Sequence, residues 1–354
     1  MNNQEVLVSV IIPTYDRPDF LQAALQSAVQ QSYQNIEIIV SDNFSPENPK
    51  ALIDSFDDSR IRFWRNETNL GICANALKAV GLSTGKYVAF LHDDDLWNAR
   101  FLECLIPALE QYPEATIAFC DQFIIDEAGK INARATHRTT RSYRRDRLKS
   151  GLYQPFLEIG LIYKSVPSVA GAVVRREAVD WKSIPPEVGS MYDLYLTYLC
   201  CKHGQAAYYY DDKLVYYREH FNTETIRSGR RNGPAKIAKA KAEIFCYQYF
   251  IQDQDLQPFK SHFKKLLLHA QTTLGIGLLL AKCPSEARFH LVQSLKGQGF
   301  NLRTITALVL SVLCSLILAE RSHEENSDHF LSLNRTESIH ISQSIRKTSN
   351  EPFH

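Results

Sequence analysis

Over the first 125 residues, short apolar runs alternate with stretches in which apolar positions recur three and four apart. The runs "VLVSVII" (6–12), "IEIIVSD" (36–42), "IRFWR" (61–65), "YVAFLH" (87–92) and "TIAFCDQFII" (116–125) are rich in β-branched and aromatic side chains and predict strands. Between them "DFLQAALQSAVQQ", "NPKALIDSF", "CANALKAVGL" and "ARFLECLIPALEQY" carry helical spacing. Strand and helix in alternation predict an α/β fold, with a Rossmann-like, mostly parallel central sheet covered by helices on both faces. Ligands of such sheets bind beyond the carboxyl ends of the strands.

The pattern then changes. Residues 130–151, "KINARATHRTTRSYRRDRLKSG", are strongly basic and poor in apolar positions, which predicts a mobile loop. Mixed patterning returns over 151–221, with a strand-like "SVAGAVVRR", an aromatic helix "MYDLYLTYLCCKHG" and a strand "AAYYYDDKLVYYREH". Residues 234–296 have helical spacing, and the last two helices there are placed to form a hairpin around Cys283 and Pro284. "TITALVLSVLCSLILA" (304–319) is uncharged over 16 residues. That is short of the roughly 20 that span a bilayer, so a packed or membrane-surface helix is expected. Residues 320–354, rich in Ser, His, Asn and charge, predict disorder. The expected layout is a domain over 1–230, with halves at about 1–125 and 126–230, a helical extension over 231–319 and a tail over 320–354.

Composition narrows the function class. Forty Lys and Arg balance 39 Asp and Glu among 354 residues, which argues against a nucleic-acid binder. The eight cysteines (Cys73, Cys104, Cys120, Cys200, Cys201, Cys246, Cys283, Cys314) form no CxxC pair and are expected to be reduced core thiols of a cytoplasmic protein. The N-terminal apolar stretch lacks a basic flank and is expected to be the first strand, not a signal peptide.

"FLHDDDLW" (90–97) ends an apolar run in three adjacent carboxylates, Asp93, Asp94 and Asp95. Their mutual repulsion would raise some of their pKa values. Two resolutions are open: a solvated acidic turn capping a helix that begins near Asn98, or a divalent cation with oxygen ligands. Asp42 ends another strand, and Thr14 and Tyr15 follow the first, so polar groups converge on one edge.

The segments "VSVIIPTYDRPDFLQAALQSAVQQSYQNIEIIVSDNFS" and "NLGICANALKAVGLSTGKYVAFLHDDDLW" resemble the family 2 glycosyltransferases of GT-A fold, densely over residues 6 to about 125 and more loosely to about 221. The resemblance implies that Thr14, Tyr15, Arg17 and Asp42 line a nucleotide pocket, and that Asn69, Gly71 and Asn75 flank the nucleotide sugar. It further implies that Asp93 contacts ribose or metal-bound phosphate, that Asp94 ligates Mn²⁺ or Mg²⁺, and that Asp95 binds the metal through water or orients the sugar. His92 stands where the family often has Asp, which throws more weight on Asp94. Gly71 and Gly85 are equally open to a plain turn role, and Asn69 and Asn75 to helix capping.

Sugar transfer needs a base for the acceptor hydroxyl, and Asp193 in "SMYDLYLTYL" matches the family's acidic position. Tyr192 precedes it where a second carboxylate is common, and a single base fits inversion. The alternative is that Asp193 caps its helix. "YYREHFNTET" resembles the family's terminal segment, implying that Arg218 holds a phosphate and His220 a metal or phosphate. The basic run 134–149 is open between a solvated face and a cover for the diphosphate or an anionic acceptor. The function expected from the resemblance is metal-dependent inverting transfer from a nucleoside-diphospho-sugar, a UDP-sugar foremost, to a saccharide or lipid-linked acceptor. The expected location is cytoplasmic, with peripheral membrane contact through 304–319. A catalytically silent nucleotide-sugar-binding scaffold is the competing class.

Overall fold

The computed structural model describes residues 6–220, 229 and 232–316. The chain divides into two compact units, residues 1–270 and 271–354. The first is built on nine strands among the described residues: β1 (Val8–Thr14), β2 (Ile36–Asp42), β3 (Ile61–Arg65), β4 (Tyr87–Phe90), β5 (Leu96–Trp97), β6 (Ala115–Ile125), β7 (Gly151–Tyr153), β8 (Ala172–Arg175) and β9 (Ala206–Arg218). They hydrogen-bond in the order β3-β2-β1-β4-β8-β6-β9-β5, with β7 also on β9.

The block β3-β2-β1-β4 is parallel, as the alternation predicts. Beyond it β8 runs antiparallel between β4 and β6, and β9 runs parallel to β6. Strand order reverses at β1, whose two neighbours are β2 and β4, so the carboxyl ends of these strands form the topological switch point where such sheets take ligands.

Side chains alternate between two cores, as a period of two requires. On one face Val8, Val10 and Ile12 pack with Leu21, Leu25 and Leu105 of α1 (Pro18–Val29) and α4 (Phe101–Gln111). On the other, Ile11, Ile39 and Phe90 pack with α3 (Ile72–Leu82) and α6 (Tyr192–Cys201). Cys246, Tyr247 and Phe250 of a later helix, Gly233–Gln252, join this second core. Gly85 lies so close to β1 that a Cβ would sit 2.7 Å from the Ser9 amide nitrogen, and Gly71 has a φ of +82 that favours glycine.

Two expectations are corrected. Residues 130–151 are not a loop: Ala133–Ser142 is a helix, α5, capped by Asn132 Oδ1 accepting from the Ala135 amide. It packs along β6 through hydroxyls, since Thr136 Oγ1 accepts from the Ile124 amide and Thr140 donates to Asp121. The cysteines are not all core thiols either: Cys283 is exposed, while Cys104 and Cys314 are half-buried. Residues 320–354, where disorder is expected, lie outside the described residues.

The hairpin forms as expected, Lys260–Leu280 returning as Pro284–Gln298 through Cys283, and the described part of the second unit closes with a helix over residues 302–316. No helix among the described residues is long and apolar enough to cross a membrane.

Candidate active site

The capping readings fail on geometry. Helix α4 begins at Phe101 with no side-chain cap, so the three aspartates cap nothing. Asp193 sits in the first turn of α6, yet its Oδ2 accepts from the Val169 amide at 3.4 Å, outside its own helix. Both features lie instead at the switch point.

Cations answer the crowding of the aspartates. Thr14 Oγ1 donates to Asp93 Oδ2 at 2.8 Å and the Tyr15 amide to the same oxygen at 3.2 Å. Arg17 Nη1 spans Asp93 Oδ1 at 3.0 Å and Asp94 Oδ2 at 2.7 Å, and His220 Nε2 meets Asp94 Oδ2 at 3.0 Å. From the end of β9, the Arg218 amide donates to Asp95 Oδ1 at 2.9 Å and its Nε to the Asp94 carbonyl at 2.8 Å. Phe20 lies beneath both: the Arg218 guanidinium is 4.9 Å from its ring centre and the His220 ring 4.8 Å.

Burial, reinforced by the charge of Asp94, raises the pKa values of Asp93 and Asp95 above the ordinary carboxylate range. Asp94 is buried too, yet His220 and Arg17 hold it below that range.

His92 turns from a departure into part of the site. Its Nδ1 faces Asp95 Oδ2 at 3.5 Å, an ion pair too long for a good hydrogen bond, and its Nε2 lies 2.6 Å from the Tyr192 hydroxyl. Burial opposes its charge, but Asp95, Asp193 and Asp94 prevail and lift its pKa to about 9. Burial likewise raises Asp193, against the field of His92, the Val169 amide and Tyr192. Asp95 Oδ2 and Asp193 Oδ1 are both sealed from solvent without a hydrogen-bond partner.

These residues fit a divalent cation. One ligand atom each from His92, Asp94 and Asp95 lie within 4.8 Å of one another, a nitrogen and two carboxylate oxygens, and Asp95 Oδ2 accepts no hydrogen bond that a cation would have to break. Binding there would displace the His92 proton and loosen Arg17 or His220 from Asp94.

The other expected residues separate. Asp42 is fully buried, held by Ser45 and by Arg65 Nη1 at 2.8 Å. Asn75 is buried as a clamp, accepting from Ser41 Oγ at 2.7 Å and Asn66 at 2.8 Å and donating to the Ser41 carbonyl at 2.9 Å. Asn69 Oδ1 accepts from Asn43 at 2.9 Å and from the Gly71 amide at 3.0 Å, which shapes the turn. The Tyr15 side chain is exposed, while its amide holds Asp93. Sequence reading missed Arg65 and Phe20. A signal for Arg65 existed, because it ends the strand whose register sets it beside Asp42.

Residues 9–163 match the family described as Glycosyl transferase family 2. The UDP-Glc:alpha-D-GlcNAc-diphosphoundecaprenol beta-1,3-glucosyltransferase WfgD of Escherichia coli is 35% identical over 29% of this chain and 40% of its own. The putative teichuronic acid biosynthesis glycosyltransferase TuaG of Bacillus subtilis is 34% identical over 34% of this chain and 47% of its own. The chain thus spans less than half the length of these relatives. Among solved structures, S. aureus TarS 1-349 in complex with UDP-GlcNAc superposes with a TM-score of 0.58 at 13% identity, covering 82% of this chain and 81% of that one. The mannosyltransferase PcManGT from Pyrobaculum calidifontis, in complex with GDP-Man and Mn²⁺, gives 0.54 at 16% identity over 89% and 87%. At such identities the likeness is one of fold, that of the GT-A glycosyltransferases.

Proposed function

We propose that this chain, whose residues 9–163 match the family described as Glycosyl transferase family 2, moves a sugar from a nucleoside-diphospho-sugar to a hydroxyl of a saccharide or lipid-linked acceptor, with inversion at the anomeric carbon. The observation that carries this reading is the pair of sealed carboxylate oxygens that accept no hydrogen bond, Asp95 Oδ2, with only the His92 ion pair beside it, and Asp193 Oδ1, at the switch point of the sheet where His92 also meets Tyr192. A bound cation would engage the first and an acceptor hydroxyl the second.

Asp193 takes the acceptor proton as the acceptor oxygen bonds to the anomeric carbon. On the opposite face the bond from that carbon to the diphosphate oxygen breaks. Desolvation makes the Asp193 carboxylate the stronger base, and a lone carboxylate suits direct displacement rather than a covalent intermediate. His92, Asp94 and Asp95 would hold Mn²⁺ or Mg²⁺, with His220 beside Asp94, and the cation would supply charge neutralisation for the departing diphosphate. Thr14, Tyr15, Arg17, Asp42, Asn69, Gly71, Asn75, Asp93 and Arg218 shape the donor side. Among them Asn75 and Asp42 act from inside the wall, by fixing the strand ends. The Escherichia coli relative, named for UDP-Glc and a diphosphoundecaprenol acceptor, favours a UDP-sugar and a lipid-linked acceptor.

A thermal-shift series with UDP-, GDP-, CDP- and dTDP-sugars, with and without Mn²⁺, tests the donor site on the wild type and on Asp94→Asn. One nucleotide class should stabilise the wild type only with metal, by about 2.7 kcal/mol at a hundredfold excess over Kd, and should not shift the variant. Absence of any shift, or an equal shift in both proteins, would sink the reading.

A further inference from the structure

Helix 302–316 has its polarity inverted, and the hairpin before it contributes hydroxyls to the same interface. Thr272, Ser294, Thr304 and Ser311 point inward and are buried. The Thr272 hydroxyl bonds Ser294 at 2.7 Å and Thr304 at 2.8 Å, which ties the three helices together. Small residues share this interior: Ala287 and Ala307 are buried, and a Cβ on Gly275 would collide with Leu291 at 2.5 Å. Leu274, Leu278 and Leu291 of the hairpin are buried with them, but the large apolar side chains of 300–316 point outward. Phe300 is 85% exposed, Leu302 69% and Leu316 58%, with Val309, Leu310 and Leu313 also exposed.

A helix packed in water shows the reverse arrangement. Small residues and hydroxyls between helices, with aliphatics outside, suit surroundings of hydrocarbon. The uncharged run 304–319, bounded by Arg303 and Glu320, is nevertheless short of the roughly 20 residues of a span, so a position in the plane of the interface is indicated. Charge identifies the occupant: residues 271–316 carry Lys282, Arg288, Lys296 and Arg303 against the single acid Glu286. This suits anionic headgroups. The tail from 320 has no apolar run comparable to the exposed face it would have to cover.

We propose that the helices of residues 271–316 form a monotopic membrane-binding module, with the outward face of 302–316 buried in an anionic phospholipid bilayer. The module holds the enzyme at the surface where a lipid-linked acceptor resides, but it stands on its own geometry.

Flotation of the full chain with phosphatidylcholine vesicles containing phosphatidylglycerol tests this without donor or acceptor, so its outcome is separate from that of sugar transfer. The wild type should float, less well on pure phosphatidylcholine or at high salt. Leu310→Gln with Leu313→Gln should lower the bound-to-free ratio roughly tenfold or more. Val309→Gln with Leu316→Gln, an independent pair, should do the same, with an unchanged melting temperature confirming that each variant folds. Failure of the wild type to float, or wild-type binding by both folded variants, overturns the proposal. So does a dimer in solution that the same substitutions dissolve without any flotation, which would assign the face to a second copy.

Discussion

Asp121 in the middle of β6 and Asp193 at the start of α6 are both withdrawn from water, yet they are treated in opposite ways. Both oxygens of Asp121 are engaged: Oδ1 by Arg145, which is itself fully buried, and Oδ2 by Thr140 and by Lys213 at 3.1 Å. Burial alone would raise its pKa, but Arg145, Thr140 and Lys213 hold it below the ordinary range. Asp193 faces only the weak Val169 amide donor, Tyr192 and the field of His92, with no full cation against it, and burial prevails, so its pKa rises. A buried carboxylate with every oxygen bonded holds structure together; one left without a full cation at the switch point is available for chemistry.

The largest expected effect separates the two. Asp193→Asn should cut turnover by roughly 10²–10⁴-fold without lowering the melting temperature. Because the folded chain binds the Asp193 proton more tightly than the unfolded one, stability is lost as pH rises through the folded pKa. Asn removes that loss, so the variant should be at least as stable at neutral pH. Turnover of the wild type should rise with pH through a midpoint above the ordinary carboxylate range. A pH profile with no such limb would remove Asp193 from the base role.

Asp121→Asn should behave the other way. Leaving Arg145 buried without its carboxylate should cost about 3–5 kcal/mol in denaturant unfolding, with turnover per folded molecule retained. The Asp121 contribution is present above the unfolded pKa and fades as pH falls through its lowered folded value, so the gap between wild type and variant should narrow in acid. Replacing both partners, Asp121→Leu with Arg145→Met, should recover much of the loss; failure to recover would mean that the pair does more than neutralise itself.

The smallest effect expected is that of Tyr192→Phe, which removes the hydroxyl 2.6 Å from His92. A net loss of about 1 kcal/mol corresponds to roughly fivefold in turnover. An unchanged rate would detach Tyr192 from the link between the cation site and the base.

What the chain by itself determined is the alternation of strand and helix and the edge where the chemistry lies. Apolar runs that stop in Thr14, Asp42 and Asp93 mark strand ends, and parallel strands bring their carboxyl ends to one side. The outward stripe of 302–316 was likewise visible as an apolar run, though not the side it faced. Tertiary structure alone decided the rest, for one physical reason repeated. Helix α5 escaped detection because its inward face is Ala135, Thr136 and Thr140 rather than Leu or Val, and hydroxyl bonds to β6 take the place of apolar periodicity. Inside the second unit, Thr272, Ser294 and Thr304 hide an interface in the same way. The insertion of β8 against the parallel grain, the pairing of Asp42 with Arg65 and the joining of His92 to Tyr192 across 100 residues depend on contacts distant in sequence. Local propensity carries no record of such contacts; they exist only once the sheet has brought the strand ends together.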